Sequence, residues 1–177
     1  MSTSTPNVNA ASEVDIAAPA NTIWNILAED FGGIHKWASG VNASEGSNPS
    51  LEGGHCSGRA CKIAATGFSD TKERIVDFDS ENYILKYALF HGLPGFVKDA
   101  YNSWHLIPKE DITQVIAATE MRATGLMGWM MKGFMAQSTQ KVLDAMCREL
   151  KHYAETGEPH PDKKKAMARY NRKKKKS

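Results

Sequence analysis

The sequence predicts an α+β domain in which a curved antiparallel sheet of six to seven strands wraps around one long C-terminal helix. Two observations carry this prediction. Five segments between residues 59 and 122 alternate polar and apolar side chains, and the short turns between them favour antiparallel pairing over crossover connections. Residues 128–155 then repeat apolar side chains every three or four positions, as an amphipathic helix does.

The first fifty residues predict one strand followed by two short helices. Residues 13–18 alternate polar and apolar side chains, so they form a half-buried strand that Pro19 ends. A helix begins at this proline, and the pair Gly32-Gly33 ends it. Residues 34–37 form one more helical turn. Residues 40–54 are rich in Ser, Asn and Gly, which indicates a strand and a loop.

Periodicity also places the remaining strands and the long helix. The strand candidates cover residues 59–65, 71–78, 83–90, 98–107 and 112–122. Gly157 ends the helix. The apolar stripe of this helix consists of Met131, Met135, Ser138, Val142, Met146, Leu150 and Tyr153. The space between the stripe and the sheet is either a packed core or a cavity, because methionine suits an irregular ligand as well as a core.

Length and composition indicate one soluble domain. The chain has 177 residues, 41% of them apolar, which suits a single globular unit. It has no run of roughly 20 apolar residues, no secretory signal, and only three cysteines, too few for a disulfide framework. We therefore expect a cytoplasmic protein with a disordered lead at 1–11, one folded domain at 12–157 and a disordered basic tail at 158–177.

The charge of the chain is divided between body and tail. Residues 162–177 contain seven Lys and two Arg against one Asp, a net charge of +8, whereas the residues before them carry a net charge of −6. Such a basic segment is typical of disorder. Four roles stay open for it: attraction to an anionic membrane surface, contact with nucleic acid, a nuclear address, and a solvated tail that aids solubility. Nucleic acid is not the expected partner, because the body has no ligand-spaced Cys/His array and no basic-aromatic sheet motif.

The order of these elements resembles the SRPBCC superfamily, the helix-grip fold of START lipid-transfer domains, birch-pollen-type allergens and polyketide cyclase/dehydrase-like proteins. The resemblance spans residues 12–153. The segments that carry it are residues 14–20 with Ile23 and Trp24, residues 30–33 leading to Trp37, residues 73–79, Tyr87, the Leu93-Pro94 turn, Tyr101 and the closing amphipathic helix. It implies the helix-grip fold and a cavity for a hydrophobic ligand. The activities in this superfamily range from cyclases and lachrymatory-factor synthase to carriers without chemistry.

Strand alternation and the resemblance together select a cavity wall. If Lys86 faces water, its strand turns the neighbouring residues on either side inward, and the resemblance places the face of His105 inside. Ala117 stands where the family often keeps Trp, which predicts a wider cavity. The predicted ligand-binding residues are Trp37, Cys61, Tyr83, Leu85, Tyr87, Tyr101, Ser103, Val115, Ala117, Thr119, Met121, Met131, Met135, Ser138 and Val142.

Glu73 is the candidate acid or base that the resemblance implies. It sits where the lachrymatory-factor-synthase-like branch keeps an inward carboxylate for proton transfer, and burial in an apolar cavity would raise its pKa. The family places the partner arginine three residues after its glycine, here Gly58, but this chain has Cys61 there. Arg59, on the same face, is the substitute, and His105 completes the candidate catalytic set.

Plainer roles stay open for the same residues. Glu73 is also explained as a structural carboxylate paired with Arg59 or Lys62, and His105 as a hydrogen-bonded wall residue. Cys61 is a small buried apolar residue or a reactive thiol. No metal or other cofactor is expected, because the chain has no phosphate-binding glycine loop or dinucleotide fingerprint and the spacing of His55, Cys56 and Cys61 fits no metal template.

Two functions of different classes follow. The first is binding or carriage of a small hydrophobic ligand, which is a lipid, polyketide, isoprenoid or aromatic metabolite. The second is a cyclase-, dehydratase- or isomerase-like enzyme with Glu73 as acid or base. The missing arginine favours binding. The sequence does not predict the oligomeric state, and residues 127–135 are also apolar enough to form an exposed patch for a partner or a membrane.

Overall fold

A computed structural model describes residues 7–47, 56–64 and 70–175 of the chain. The elements are β1 (Asn7–Ile16), α1 (Ala20–Trp24), a π-helical turn (Asn25–Glu29), a 3-10 turn (Phe31–Lys36), β2 (Val41–Ser47), β3 (Gly58–Ile63), β4 (Thr71–Asp79), β5 (Ile84–His91), β6 (Val97–Pro108), β7 (Thr113–Ala123), α2 (Gly125–Thr156) and α3 (Pro161–Lys174).

The seven strands form one curved antiparallel sheet in the order β1-β7-β6-β5-β4-β3-β2. Strands β2 to β7 follow one another as a meander, so each hydrogen-bonds to its neighbour in sequence, whereas β1 pairs with the last strand. The long helix α2 packs against β1 and β7. This architecture confirms the predicted α+β fold with six to seven strands and a long C-terminal helix.

Aromatic side chains fill the core between the sheet, the short helices and the second half of α2. Edge-to-face ring pairs join Trp24 to Phe78 (5.2 Å between centroids) and Phe31 to Tyr87 (5.3 Å). Such pairs add about 0.5–1.5 kcal/mol each beyond the area they bury. The core therefore occupies the end of the molecule where α1 and the 3-10 turn cover the sheet.

Burial changes abruptly along α2. In its second half Leu143, Cys147 and Leu150 are buried, but in its first half only Gly128 is buried among the residues described. A Cβ at Gly128 would stand 3.0 Å from the Cβ of Ala123, so a glycine is what lets the start of the helix lie close to the end of β7. The other end follows the prediction, because Gly157 ends the helix in the left-handed conformation (φ 73°).

Both predicted disordered ends contain regular structure, and the predictions of disorder were wrong for these residues. β1 begins at Asn7, inside the predicted lead, and pairs with β7 along its whole length, because Val8 and Ala10 continue the buried alternation. In the predicted tail α3 forms over residues 161–174. The side chain of His160 caps it, Pro161 begins it, and the buried Lys163 donates from Nζ to the carbonyl of Val41 (2.7 Å).

Candidate functional site

A buried ion pair joins Arg59 and Glu73 across two neighbouring strands. The two residues stand directly opposite each other in the pairing of β3 with β4. Arg59 donates from Nε to Oε2 of Glu73 (2.6 Å), and its Nη2 lies 2.5 Å from the same oxygen. The side chains are only 4% and 10% exposed. The resemblance predicted an arginine at the position of Cys61 as the partner of Glu73. In the structure Arg59 is the partner of this carboxylate.

Two aromatic rings enclose the guanidinium of Arg59. Its central carbon lies 3.9 Å from the ring centroid of Phe31 and 4.9 Å from that of Tyr87, and Nη1 donates to the carbonyl of Phe31 (2.9 Å). Burial alone would lower the pKa of Arg59, but the Glu73 carboxylate, with smaller contributions from Tyr87 and Cys61, raises it above its usual range. The arginine is thus a fixed cation at the inner face of the sheet.

The neighbours of this ion pair stay protonated at neutral pH. Burial raises the pKa of Cys61 to about 12 against the opposing effect of Arg59, and burial likewise raises the pKa of Tyr87 to about 12. A nucleophilic cysteine needs a lowered pKa. Cys61 is 1% exposed. Its burial and raised pKa therefore support the role of a small buried apolar residue rather than that of a reactive thiol.

The face of β6 that packs on the core is the opposite of the predicted one. Three predicted site residues therefore lie on the outer face. Trp104 and Leu106 are buried against the core, whereas His105 is exposed. Tyr101 and Ser103 share the outer face with His105, and Lys86 Nζ lies 5.2 Å from the Tyr101 ring centroid there. The inward placement of Tyr101, Ser103 and His105 was therefore wrong.

Trp104 also changes the consequence of Ala117. The two residues are paired across β6 and β7, and Trp104 packs edge-to-face with Trp37 (6.5 Å between centroids). The large ring thus lies beside the small side chain and occupies part of the space that the alanine leaves. Within the described residues, the buried Nε1 of Trp37 has no hydrogen-bond partner.

In β5 and β7, the strands on either side of β6, the alternation of polar and apolar side chains predicted the buried face correctly. Leu85, Tyr87, Val115, Ala117 and Thr119 are buried, and Tyr83 and Met121 are half-buried. Thr119 donates from Oγ1 to Oδ1 of Asn102 (2.5 Å), a polar pair on the inner face. Asn102 was not among the predicted site residues, because the predicted orientation of β6 put its side chain on the outer face.

Helix α2 brings only some of its predicted residues inward. Met131, Met135 and Ser138 are half-buried, but Val142 is 55% exposed, so its predicted inward position was wrong. The next residue, Leu143, and Cys147 take the buried positions instead. At this point the buried face of the helix is rotated by one residue, about 100°, from the predicted stripe.

Two open clefts lie at the surface. One, of about 460 Å³, is lined by the β5–β6 hairpin from Leu89 to Gly95 with Val97 and Lys98. The other, of about 340 Å³, lies beside the 3-10 turn and includes His35 and Cys56. Neither is lined by the Arg59–Glu73 pair or by α2.

A second cluster of polar groups joins the end of α2 to α3. Ser39 donates from its backbone N to Oε2 of the buried Glu149 (2.7 Å) and from Oγ to Oε1 (2.6 Å). His160 and Asp162 each have a potential ligand atom within 4.8 Å of one on Glu149, which gives the donor types of a metal site. Burial lowers the pKa of the adjacent Lys163 to about 8, while Glu149 opposes the shift. His55, from the other metal combination considered, lies outside the described residues.

No helix among the described residues is both long and apolar enough to cross a membrane. A search of the curated proteins found no match. Among solved structures, a norcoclaurine synthase point mutant from Thalictrum flavum in complex with a transition-state analogue is 18% identical, with a TM-score of 0.64 over 85% of this chain and 98% of that chain. A START superfamily protein from Mycobacterium smegmatis is 16% identical, with a TM-score of 0.63 over 81% and 97% of the two chains.

The di-domain ARO/CYC protein BexL is 13% identical, with a TM-score of 0.66 over 81% of this chain and 45% of that chain. At these identities the structural likeness shows the fold alone. The sequence itself matches the family model described as polyketide cyclase/dehydrase and lipid transport over residues 7–155. Because this match covers most of the chain, the protein belongs to the polyketide cyclase/dehydrase and lipid transport family.

Proposed function

We propose that the protein binds a small hydrophobic molecule (a lipid, polyketide, isoprenoid or aromatic metabolite) between the inner face of the sheet and the first half of α2. The observation that carries this proposal is the change in burial along α2. The second half of the helix packs into the core, but in the first half Met131 and Met135 are only half-buried. Apolar side chains at this position gain a partner when a ligand binds.

Apolar burial supplies the energy of such binding. Each Å² of apolar surface removed from water contributes roughly 25 cal/mol. Methionine has three rotatable bonds and a polarisable sulfur, so Met131 and Met135 adapt to ligands of irregular shape. Membership of a family described by both cyclase/dehydrase activity and lipid transport agrees with a ligand of this class.

Polar groups on the inner face are placed to orient the ligand. The pair of Thr119 and Asn102 offers one such group, and the buried Nε1 of Trp37 offers a donor without a partner in the described part of the chain. A buried donor left unpaired costs about 1–3 kcal/mol. A ligand with an oxygen acceptor that reaches Trp37 would remove this cost, so we favour ligands that carry a carbonyl, hydroxyl or carboxylate group.

The test begins with native mass spectrometry and organic extraction of the purified protein, followed by titration with dansyl-labelled undecanoic acid and with naphthol. Met135→Trp places a bulky ring beside the sheet and should weaken binding by about tenfold or more. Met167→Trp makes the same change on an exposed position of α3 and should leave binding within about twofold. Equal affinities for the two variants, or no binding of any ligand by the wild type, would contradict the proposal.

A second candidate function is acid–base catalysis by Glu73 on a ligand in the same place. The observation in its favour is Arg59, which restores the carboxylate–guanidinium pair of the family from a different position. Glu73→Gln keeps the shape of the side chain. If the protein is an enzyme, this variant retains ligand affinity within a few-fold but loses turnover of the extracted ligand; if the protein only carries, wild type and variant both leave the ligand unchanged. Full turnover by Glu73→Gln excludes this mechanism.

A further inference from the structure

An exposed apolar surface lies at one end of the molecule, where the β5–β6 hairpin meets the start of α2. Its exposed large side chains are Phe90 on the hairpin and Leu126, Met127, Trp129, Met130 and Phe134 on the helix. Thr124 joins the two segments, because its backbone N donates to the carbonyl of Phe96 (2.7 Å). We call residues 89–98 together with 125–134 the apolar end.

The charged side chains within the apolar end itself are both positive. Residues 84–98 and 121–143 contain five Lys and Arg side chains and no Asp or Glu, although residues 1–161 as a whole carry a net charge of −6. Lys98 and Lys132 belong to the apolar end itself, and both are exposed. Two of the five cations face acidic partners, since Arg122 forms an ion pair with Asp99 and Lys86 lies 3.7 Å from Glu120. Exposed apolar groups and the two lysines Lys98 and Lys132 therefore share one surface.

We infer that the apolar end docks on the surface of an anionic lipid bilayer. Trp and large aliphatic side chains partition into the interface between headgroups and acyl chains, and each nearby Lys or Arg adds attraction to anionic lipid. A second copy of this chain is a poor occupant, because it would bring the same positive charge against itself. The inference extends the proposed function by naming the surface from which a hydrophobic ligand is taken or to which it is delivered.

The basic helix α3 is a separate feature. It has seven exposed Lys and Arg side chains between residues 164 and 175, but Met167 is its one exposed large apolar side chain among those described. Its anchor, Lys163, is near Glu149. Glu149 lies twenty residues after Trp129 on α2, so α3 is anchored about 30 Å along this helix from the apolar end. Attraction through α3 alone would be purely electrostatic and would disappear at high salt.

Co-sedimentation with vesicles of phosphatidylcholine and phosphatidylserine tests the inference, with phosphatidylcholine vesicles as the comparison. Leu126→Ser combined with Trp129→Ser should reduce binding by about tenfold or more, and Lys98→Glu combined with Lys132→Glu should do the same at low salt. The matched control reverses two charges on α3, Lys165→Glu with Arg169→Glu, and should stay within about twofold of the wild type. The inference is overturned if only the α3 variant loses binding.

Tryptophan fluorescence gives a second readout that needs no mutation. Trp129 is 71% exposed, whereas the other three tryptophans are 2–4% exposed. Lipids with brominated acyl chains should therefore quench Trp129 alone, and Trp129→Ser should abolish the quenching. Absence of quenching in the wild type rejects insertion.

Two further measurements separate this inference from the alternatives. Met135→Trp should still bind vesicles while its ligand affinity falls, so vesicle binding and ligand binding can fail independently. Analytical ultracentrifugation tests the other occupant. A dimer that Leu126→Ser with Trp129→Ser dissociates, together with no binding to either type of vesicle, would show that a second copy covers the apolar end and would overturn the inference.

Discussion

The pairing of Arg59 with Glu73 shows how strand register brings a buried base and a buried acid together. Strand pairing sets the two side chains directly opposite each other, which brings the guanidinium to the carboxylate although Cys61 occupies the family position of the arginine. Burial makes this pair sensitive to the loss of one partner, because the remaining charge cannot be solvated.

Removal of one partner should therefore destabilise the fold more than removal of both. Glu73→Ala is expected to lower the free energy of unfolding by about 3–5 kcal/mol, whereas Arg59→Met combined with Glu73→Leu should recover most of that loss. Urea denaturation monitored by circular dichroism measures both. Glu158→Ala breaks the exposed pair with Lys164 and serves as the control, with an expected cost of about 0–1 kcal/mol. A cost below about 1 kcal/mol for Glu73→Ala as well would mean that the pair is solvated.

The inner face of a strand could be predicted where a charged residue marks the outer face, as in β5, but not in β6. Lys86 oriented β5 correctly, since a lysine on the inner face would be costly. In β6 no charged residue between Asp99 and Pro108 marks the outer face, and the family resemblance assigned the wrong side. The irregular pairing between Val97 and Asp99 shifts the register by one residue, which strand alternation alone cannot reveal.

At the scale of elements, α3 is the structure that the sequence did not predict. Its composition is typical of disorder, and its anchor is a lysine rather than an apolar side chain. Lys163 reaches the carbonyl of Val41 at the start of the edge strand β2, and Ala166 and Tyr170 follow on the same half-buried stripe. The helix thus lies beside the edge strand β2 and protects this strand from pairing with other chains.

The contribution of Lys163 to the stability of the fold should increase as the pH becomes alkaline. The pKa of Lys163 falls from 10.5 to about 8 in the folded state, so between these values the unfolded chain binds more protons and stability rises with pH. The gain is at most about 3 kcal/mol. Lys163→Met lacks this group. The free energy of unfolding of the wild type, minus that of the variant, should therefore increase from pH 7 to pH 10. A difference that is constant over this range would show that Lys163 is solvated.

Because thiols and phenols titrate in the same range, the comparison with Lys163→Met is what isolates the lysine. Burial raises the pKa of Cys61, Tyr87 and Cys147, and each shift makes stability fall as pH rises past the value of the unfolded group. Wild type and variant share these three groups. Lys165→Met changes an exposed lysine of the same helix and should show no difference with pH.

The whole molecule divides into a packed end and an open end. Aromatic rings and the second half of α2 close the first, while the hairpin and the first half of α2 leave the second apolar, cationic and exposed. Periodicity predicted the sheet and the long helix, and the resemblance in motifs and element order indicated the family. It could not predict how far along α2 the packing extends, because both halves of the helix carry apolar side chains and only tertiary contacts distinguish them.

The pairing of the first strand with the last has a consequence for synthesis on the ribosome. β1 takes its hydrogen bonds from residues 113–122, so it gains a neighbour only after the last strand of the sheet has been made. The β2–β7 meander can form hairpins as it emerges, whereas β1 joins the sheet across about a hundred residues of sequence. Contacts so distant in sequence form slowly. Until they do, Val8, Ala10 and Ile16 are exposed on a nascent chain, and this is the interval in which a chaperone has most to protect.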